Sequence, residues 1–352
     1  MKKNGKRLLV CLLAAAMVLS LAACGVKGAD TSVPAATNSE ATAELSEMPT
    51  DGIPDNYVLR LGAGTLTGTY YQYAVGSLDL VEKYAQGWIA SPTTTAGSGE
   101  TFALLEAGDL DTCTASAISY ACAKEGIYAF DHPLKGELYL WSHVAPEYVH
   151  ICTAADSKFN SLEDLKGATL TCGLPGSGTY ATGFKVLADL GIENPEEYFN
   201  IVYLAASDAI AALQDGSLDA MVYLVGLGST PGQIAESASG LKIIPISEEE
   251  QQRAIANNPY YVSDTIPGGY YKGNDTDIPT LSDMQITLSY DSVPENVVYQ
   301  YVKLLNEHQE DLVSINPSFS TATAQEVVEK WYGKIPFHPG AEKYYREIGL
   351  IK

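Results

Sequence analysis

Val58-Leu59-Arg60-Leu61-Gly62-Ala63 runs into Gly64-Thr65-Leu66-Thr67-Gly68-Thr69, and that into Tyr70 to Ala85. The first stretch is apolar around one arginine and predicts a short strand. The second is a glycine- and threonine-rich turn. The third carries Tyr73, Leu78, Leu80, Val81 and Tyr84 on one face and predicts a helix. The same order returns a hundred residues later. Ala168 to Cys172 predicts a strand, and Gly173-Leu174-Pro175-Gly176-Ser177-Gly178-Thr179 a turn. A helix then runs to Leu190 and is closed by Gly191.

The alternation extends outward from both units. A strand is indicated near Gly87 to Ala90, then a small-residue turn from Thr93 to Gly99. A helix from Glu100 to Ala107 stops at Gly108. Cys113 to Ala115 follows as a strand, before a helix ending near Gly126. The pattern restarts after residue 145, with Val149 to Ala154 as a strand. Ser161 to Gly167 predicts a short helix with Ser161 as N-cap and Asp164 three residues on. Asn200 to Leu204, Leu218 to Tyr223 and Leu241 to Ile246 predict strands. Ala206 to Gln214 predicts a helix closed by Gly216. A tyrosine-rich loop spans Asn257 to Lys272, Met284 to Tyr290 a strand, and Glu295 to Glu307 a helix. Strands alternating with helices predict a mostly parallel sheet. About 300 residues suffice for two domains. The expectation is an α/β fold of two lobes with a ligand cleft between them. Residues 55–146 plus 247–352 would form one lobe, and 147–246 the other.

The N-terminus predicts export. Lys2, Lys3, Lys6 and Arg7 precede an apolar run from Leu8 to Leu21, too short to span a bilayer comfortably. Leu21-Ala22-Ala23-Cys24 resembles a bacterial lipobox. Residues 1–23 are therefore expected to be a signal peptide, with lipid on Cys24 anchoring the chain outside the cytoplasm. Residues 24–54 have no aromatic residue and suit a disordered tether.

Several function classes lose ground. The formal charge is −22, and the basic leader contributes none of the acids. That argues against nucleic acid and anionic lipid surfaces. Gly62-x-Gly64-x-x-x-Gly68 misses the dinucleotide spacing, and Gly173 to Gly178 lacks the lysine of a P-loop. No cofactor is expected. The histidines show no metal spacing, so no metal is expected. No nucleophile elbow occurs, and an enzyme is not expected. Cys113, Cys122, Cys152 and Cys172 could pair in three ways or remain free. A monomer is expected.

What remains is binding. A helix N-terminus offers unpaired N–H groups and a partial positive charge, which attract carboxylate or phosphate. Thr65, Gly68, Thr69 and Tyr70 stand at one such end, and Ser177, Gly178 and Thr179 at another. Ser98 stands at a third. Turns of this kind also simply cap helices. Tyrosines number 23 against 7 phenylalanines, and Tyr223 among them could wall a cleft. Arginine is scarce after the leader (Arg60, Arg253, Arg346), so helix ends and hydroxyls would hold the acid. Of the three, Arg60, on the strand before the first turn, is placed to be an exception.

The segment Leu61 to Tyr71 resembles the opening motif of the TAXI family, the receptors of one branch of TRAP transporters. Thr95-Ala96-Gly97-Ser98 with Glu100, Gly108 and Asp111 is similar to its second motif. Pro146 to His150, Leu162 to Gly167, Gly173 to Thr179 and Asp215 to Ala220 follow in the family's order. The resemblance implies a type II periplasmic-binding-protein fold and a sodium-coupled TRAP permease as partner. It implies a small carboxylate or amino-acid ligand such as glutamate or 2-oxoglutarate. Thr101 and Ser116-Ala117-Ile118 depart from the family's pattern and bear on cleft polarity. Alternatives on the same fold are an ABC-importer receptor for a sulfonate or thiamine-precursor-like solute, a signalling receptor, and an exported dehydratase.

Overall fold

The computed structural model describes residues 56–352, apart from 67, 86–87, 230–232 and 234–239. The signal peptide (1–23), Cys24 and the tether (24–54) lie outside the described residues. The chain runs β1 (Tyr57–Gly62), α1 (Thr69–Tyr84), β2 (Trp88–Thr93), α2 (Ser98–Ala107), β3 (Thr112–Ser116) and α3 (Ala117–Glu125). The long strand β4 (Tyr139–Thr153) follows, then β5 (Thr169–Thr171), α4 (Gly178–Asp189), α5 (Pro195–Tyr198), β6 (Asn200–Ile201), α6 (Ala206–Asp215) and β7 (Ala220–Val225). The remainder is β8 (Lys242–Ile243), α7 (Glu248–Asn257), β9 (Val262–Ile266), β10 (Ile278–Ser289), α8 (Glu295–Glu307), α9 (Gln309–Ile315), α10 (Ala324–Trp331) and α11 (Pro339–Glu347).

The strands join in the order β2-β1-β3-β10-β4-β7-β5-β6. This is one arrangement used twice. β1 pairs in parallel with β2 and β3. β5 pairs in parallel with β6 and β7. β10 closes the first set by antiparallel pairing with β3, and β4 closes the second by antiparallel pairing with β7. β4 and β10 also pair with each other, so both strands pass through both halves. The expectation of a mostly parallel sheet therefore holds within each half and fails at the centre. A chain that leaves one half and returns must cross twice in opposite directions, which makes the central pairing antiparallel.

Three apolar clusters fill the halves. The first lies under β1, β3 and the neighbouring ends of β4 and β10, with Tyr73, Leu78, Val81, Val298, Tyr301 and Trp331 from the helices. The other two lie on opposite faces of the second half. Along β7, Ala220, Val222 and Leu224 join one, while Met221 and Tyr223 join the other. Both faces of β7 are thus buried, which is why its sequence is apolar without alternation. Ala254 and Tyr261 pack in the second cluster, and Ile266 and Tyr271 in the third. Residues between α7 and β10 thus pack against the second half's clusters.

Local chemistry ends the helices where expected. Gly108, Gly126 and Gly216 adopt left-handed conformations just past α2, α3 and α6. Ser161 and Asp164 exchange hydrogen bonds as anticipated, but around a single 3₁₀ turn at Glu163–Leu165. Arg60 is held in a bidentate pair by Asp111, Nε to Oδ2 at 3.0 Å and Nη2 to Oδ1 at 2.8 Å. It is thereby spent on tying β1 to the α2–β3 turn. Cys113, Cys122, Cys152 and Cys172 are all free and buried, and burial pushes each thiol upward.

Candidate functional site

In each half the first strand lies between the second and third. The loops leaving the carboxyl ends of β1 and β3, and of β5 and β7, therefore diverge and leave a crevice. The two crevices face each other beside the crossing strands. Every glycine-rich turn singled out in the sequence opens here.

The two halves touch through these turns. A Cβ on Gly99 would lie 2.6 Å from the Gly176 carbonyl oxygen, and one on Gly97 would lie 3.3 Å from the Gly178 nitrogen. A Cβ on Gly178 would meet Ser98 Oγ at 3.0 Å. The N-terminus of α2 thus packs backbone to backbone on the N-terminus of α4. On the far side, a Cβ on Gly226, after β7, would lie 3.5 Å from Thr69 Oγ1 at the start of α1. The α2 and α4 N-termini thus meet directly, and the start of α1 lies against the turn after β7. Glycine is used because any side chain would hold the turns apart.

The hydroxyls divide between structure and availability. Ser177 caps α4, accepting from Tyr180 N at 3.1 Å and donating to Leu174 O at 2.6 Å. Its Oγ also lies 3.0 Å from Thr179 Oγ1. Ser98 is buried at the first position of α2. Thr65 is exposed, and its carbonyl accepts from Gly68 N at 2.9 Å to close the first turn. Gly68 stands at the N-cap of α1 with no side chain to fill that role, so the leading N–H groups of α1 have no side-chain cap. Thr101 turns inward, donating to Gly97 O at 2.9 Å and pairing with Thr95 Oγ1 at 2.6 Å. It fixes the α2 turn and does not add to cleft polarity.

Sequence reasoning missed the floor. Glu147 on β4 and Asp283 on β10 are direct partners in the antiparallel ladder, so their carboxylates leave the same face. Asp283 is fully buried and Glu147 nearly so. Tyr70 donates to Glu147 Oε2 at 2.7 Å. Ser116 Oγ and the Ile118 N–H donate to Asp283 Oδ2 at 2.6 and 3.0 Å, which places that carboxylate at the N-terminus of α3. Gln285 Nε2 reaches Glu147 Oε1 at 3.4 Å. Burial, joined by the charge of Asp283, holds the Glu147 carboxyl well above the usual range. Burial pushes the Asp283 carboxyl up to about 7 despite its hydrogen bonds. Burial and Glu147 raise Tyr70.

Tyr223 sits elsewhere. Its side chain is buried in the third cluster, opposite His150 in the β4–β7 ladder, and its hydroxyl has no partner among the described residues. His150 itself is structural. Its Nδ1 donates to Tyr148 O at 2.8 Å, and its Nε2 accepts from Tyr271 Oη at 3.0 Å, which in turn accepts from Gly228 N at 3.1 Å. Burial lowers His150 to about 4, so the ring stays neutral. Tyr271 is consumed in this relay, Tyr261 is core, and Tyr270 is exposed.

Comparison with known proteins gives a family. The NMT1-like family matches residues 61–349. The TAXI resemblance gains no support from that match. Among solved structures, a putative L-cystine ABC transporter chain from Listeria monocytogenes is 14% identical, with a TM-score of 0.47 over 75% of this chain and 95% of that one. The periplasmic aliphatic sulphonate binding protein of Escherichia coli is also 14% identical, with a TM-score of 0.46 over 84% and 89%. The architecture is two α/β halves joined by two crossing strands.

Two outcomes follow from the geometry. Gly99→Ala suits the helix but not the contact with Gly176. It should raise the radius of gyration measured by small-angle scattering, and superimposable curves would show that the contact does not hold the halves together. The raised carboxyl of Asp283 means that folding favours its protonated form. Stability should then fall as pH rises from about 4 through about 7 and level off above. Asp283→Asn should shrink the loss in urea-unfolding free energy between pH 5 and pH 8 by on the order of 1 kcal/mol. An unchanged difference between the two pH values would remove Asp283 as its source.

Proposed function

We propose that this chain, which belongs to the NMT1-like family, is an extracytoplasmic solute-binding receptor whose two lobes close on a small acid. The observation that carries this reading is the packing of the α2 and α4 N-termini against each other at the crossing strands. Helix ends of like polarity, brought together from two halves, favour an anion between them. Thr65, Gly68, Thr69, Tyr70, Ser98, Ser177, Gly178 and Thr179 stand at these ends and form the proposed contacts. The lobes we propose are 56–146 with 284–352, and 147–283, because α7, β9 and the start of β10 pack with the second half.

Its activity is binding without chemistry. Open lobes sample closure, contacts from both lobes favour the closed form, and a membrane permease recognises that form. For the permease we propose an ABC importer, the alternative to the TRAP permease that the TAXI resemblance implied. Lipid on Cys24 would keep the receptor at the membrane. Cys24→Ser should move the protein from the membrane fraction to the medium or periplasm. A variant that still sediments with membranes would overturn the lipid anchor.

The receptor reading is tested by thermal unfolding of the chain, refolded to strip carried ligand, against amino acids, dicarboxylates, oxo acids and sulfonates. A binder at 100 times its Kd should add about 2.7 kcal/mol to stability. No stabilisation by any member would overturn the reading. Uptake of the binder by cells should then be abolished by vanadate and persist when the sodium gradient is collapsed. Sodium-dependent, vanadate-resistant uptake would replace the ABC partner with a TRAP permease.

A further inference from the structure

The cleft floor has open hydrogen-bonding capacity of one kind. Among the described residues Asp283 Oδ1 has no hydrogen-bond partner, and neither does Gln285 Oε1. Both residues are at least 99% buried. Glu147 Oε1 receives only the long 3.4 Å contact from Gln285 Nε2. Gln285 lies two residues from Asp283 on β10, so the two side chains leave the same face, and its amide is already turned toward Glu147. The open position at Gln285 Oε1 is an acceptor, and those at the two carboxyls are acceptors in their ionised form. Tyr70, Ser116 and the Ile118 N–H are spent on the other carboxylate oxygens.

Charge points the same way. Among the described residues neither Glu147 nor Asp283 forms an ion pair within 4 Å. Lys330 acts on Asp283 only from a greater distance. Two carboxyls facing each other in a buried ladder are costly unless protonated or matched by a cation. A primary ammonium has three donors and one positive charge, and no acceptor. Tyr70, which bonds Glu147, lies in the first turn of α1, next to Thr69 and the uncapped N–H groups of that helix. The acid-attracting end and the acceptor-rich floor are thus adjacent.

We infer that Glu147, Asp283 and Gln285 form an ammonium-recognising subsite, and that the ligand is a small zwitterion carrying a primary amine beside its acid group. This inference rests on the receptor reading above and narrows it. The helix ends take the carboxylate or sulfonate, and the floor takes the amine. Oxo acids, dicarboxylates and simple sulfonates would leave the floor's acceptors unmet and should bind weakly.

The test is calorimetric titration of the full chain with matched pairs that differ in the amine alone: glutamate and glutarate, alanine and propionate, taurine and ethanesulfonate. At least one amine-bearing member should bind, at least tenfold more tightly than its partner. Glu147→Gln should reduce that preference, because the amide removes one charge and keeps the shape. Equal affinity within every pair that binds, or tighter binding of the amine-free member, would overturn the ammonium subsite while leaving the receptor reading standing. Failure of all six to bind would overturn the zwitterion class outright, and the broader thermal panel then decides the receptor reading separately. The wild-type pairs discriminate between these outcomes even if the variant does not fold.

Discussion

The pairing of β4 with β10 is the constraint on which the rest depends. Each strand is long because it serves two halves. β10 meets β3 through Gln285 to Leu288 and β9 through Ile278 to Ser282. β4 meets β7 from Tyr148 to Thr153 and β10 from Tyr139 to Tyr148. The register irregularities fall between Met284 and Ile286 and between Thr287 and Leu288. Slipping either strand by one residue would turn its acid out of the pair and onto the opposite, apolar face. The register that builds both cores is therefore the one that sets the acid pair opposite itself and beneath the helix ends.

Much of the outer architecture was legible in the sequence because local rules suffice there. α8 occupies the residues its periodicity indicated, and the strand–turn–helix units around Gly64 and Gly173 are built as read. The crossing strands were harder. β4 begins ten residues before the strand predicted at Val149, and it includes Pro146, which a ladder accepts only where the N–H is not needed. β9 lay hidden inside a stretch read as a tyrosine loop. The tyrosines themselves were ambiguous, because the same side chain suits a cleft wall and a core. Tyr70 lies at the cleft floor, whereas Tyr223 and Tyr261 pack inside.

Glu147 and Asp283 escaped because an acid in an acidic chain is usually a solvated one. The signal that could have found them is in the pattern of β10. Asp283, Gln285 and Thr287 alternate with Met284, Ile286 and Leu288. Read alone, that is a half-exposed strand. Its place between β3 and β4 makes it central, and all six residues are buried. A polar stripe inside a central strand needs partners. Ser116 and the start of α3 serve Asp283 Oδ2, and the stripe's remaining acceptors are left facing the cleft floor. Ser116-Ala117-Ile118, the run that departs from the TAXI pattern, is the segment that cradles this carboxylate.

The charge of the molecule and the charge of the site are thus set by different means. The surface is acidic through ionised side chains, which suits solubility but says nothing local. On the proposed reading the cleft attracts an acid through aligned backbone dipoles at α1, α2 and α4, which add no net charge and need no arginine. Its floor carries two carboxyls whose ionised forms burial disfavours. An approaching ammonium would favour the ionised form of both carboxyls, so its own arrival creates the charge it meets. On the proposed reading such a floor would discriminate between ligands at both protonation states. Protonated, it offers little to a second acid, and ionised, it repels one. On that reading the helix ends supply attraction, and the crossing strands supply the choice.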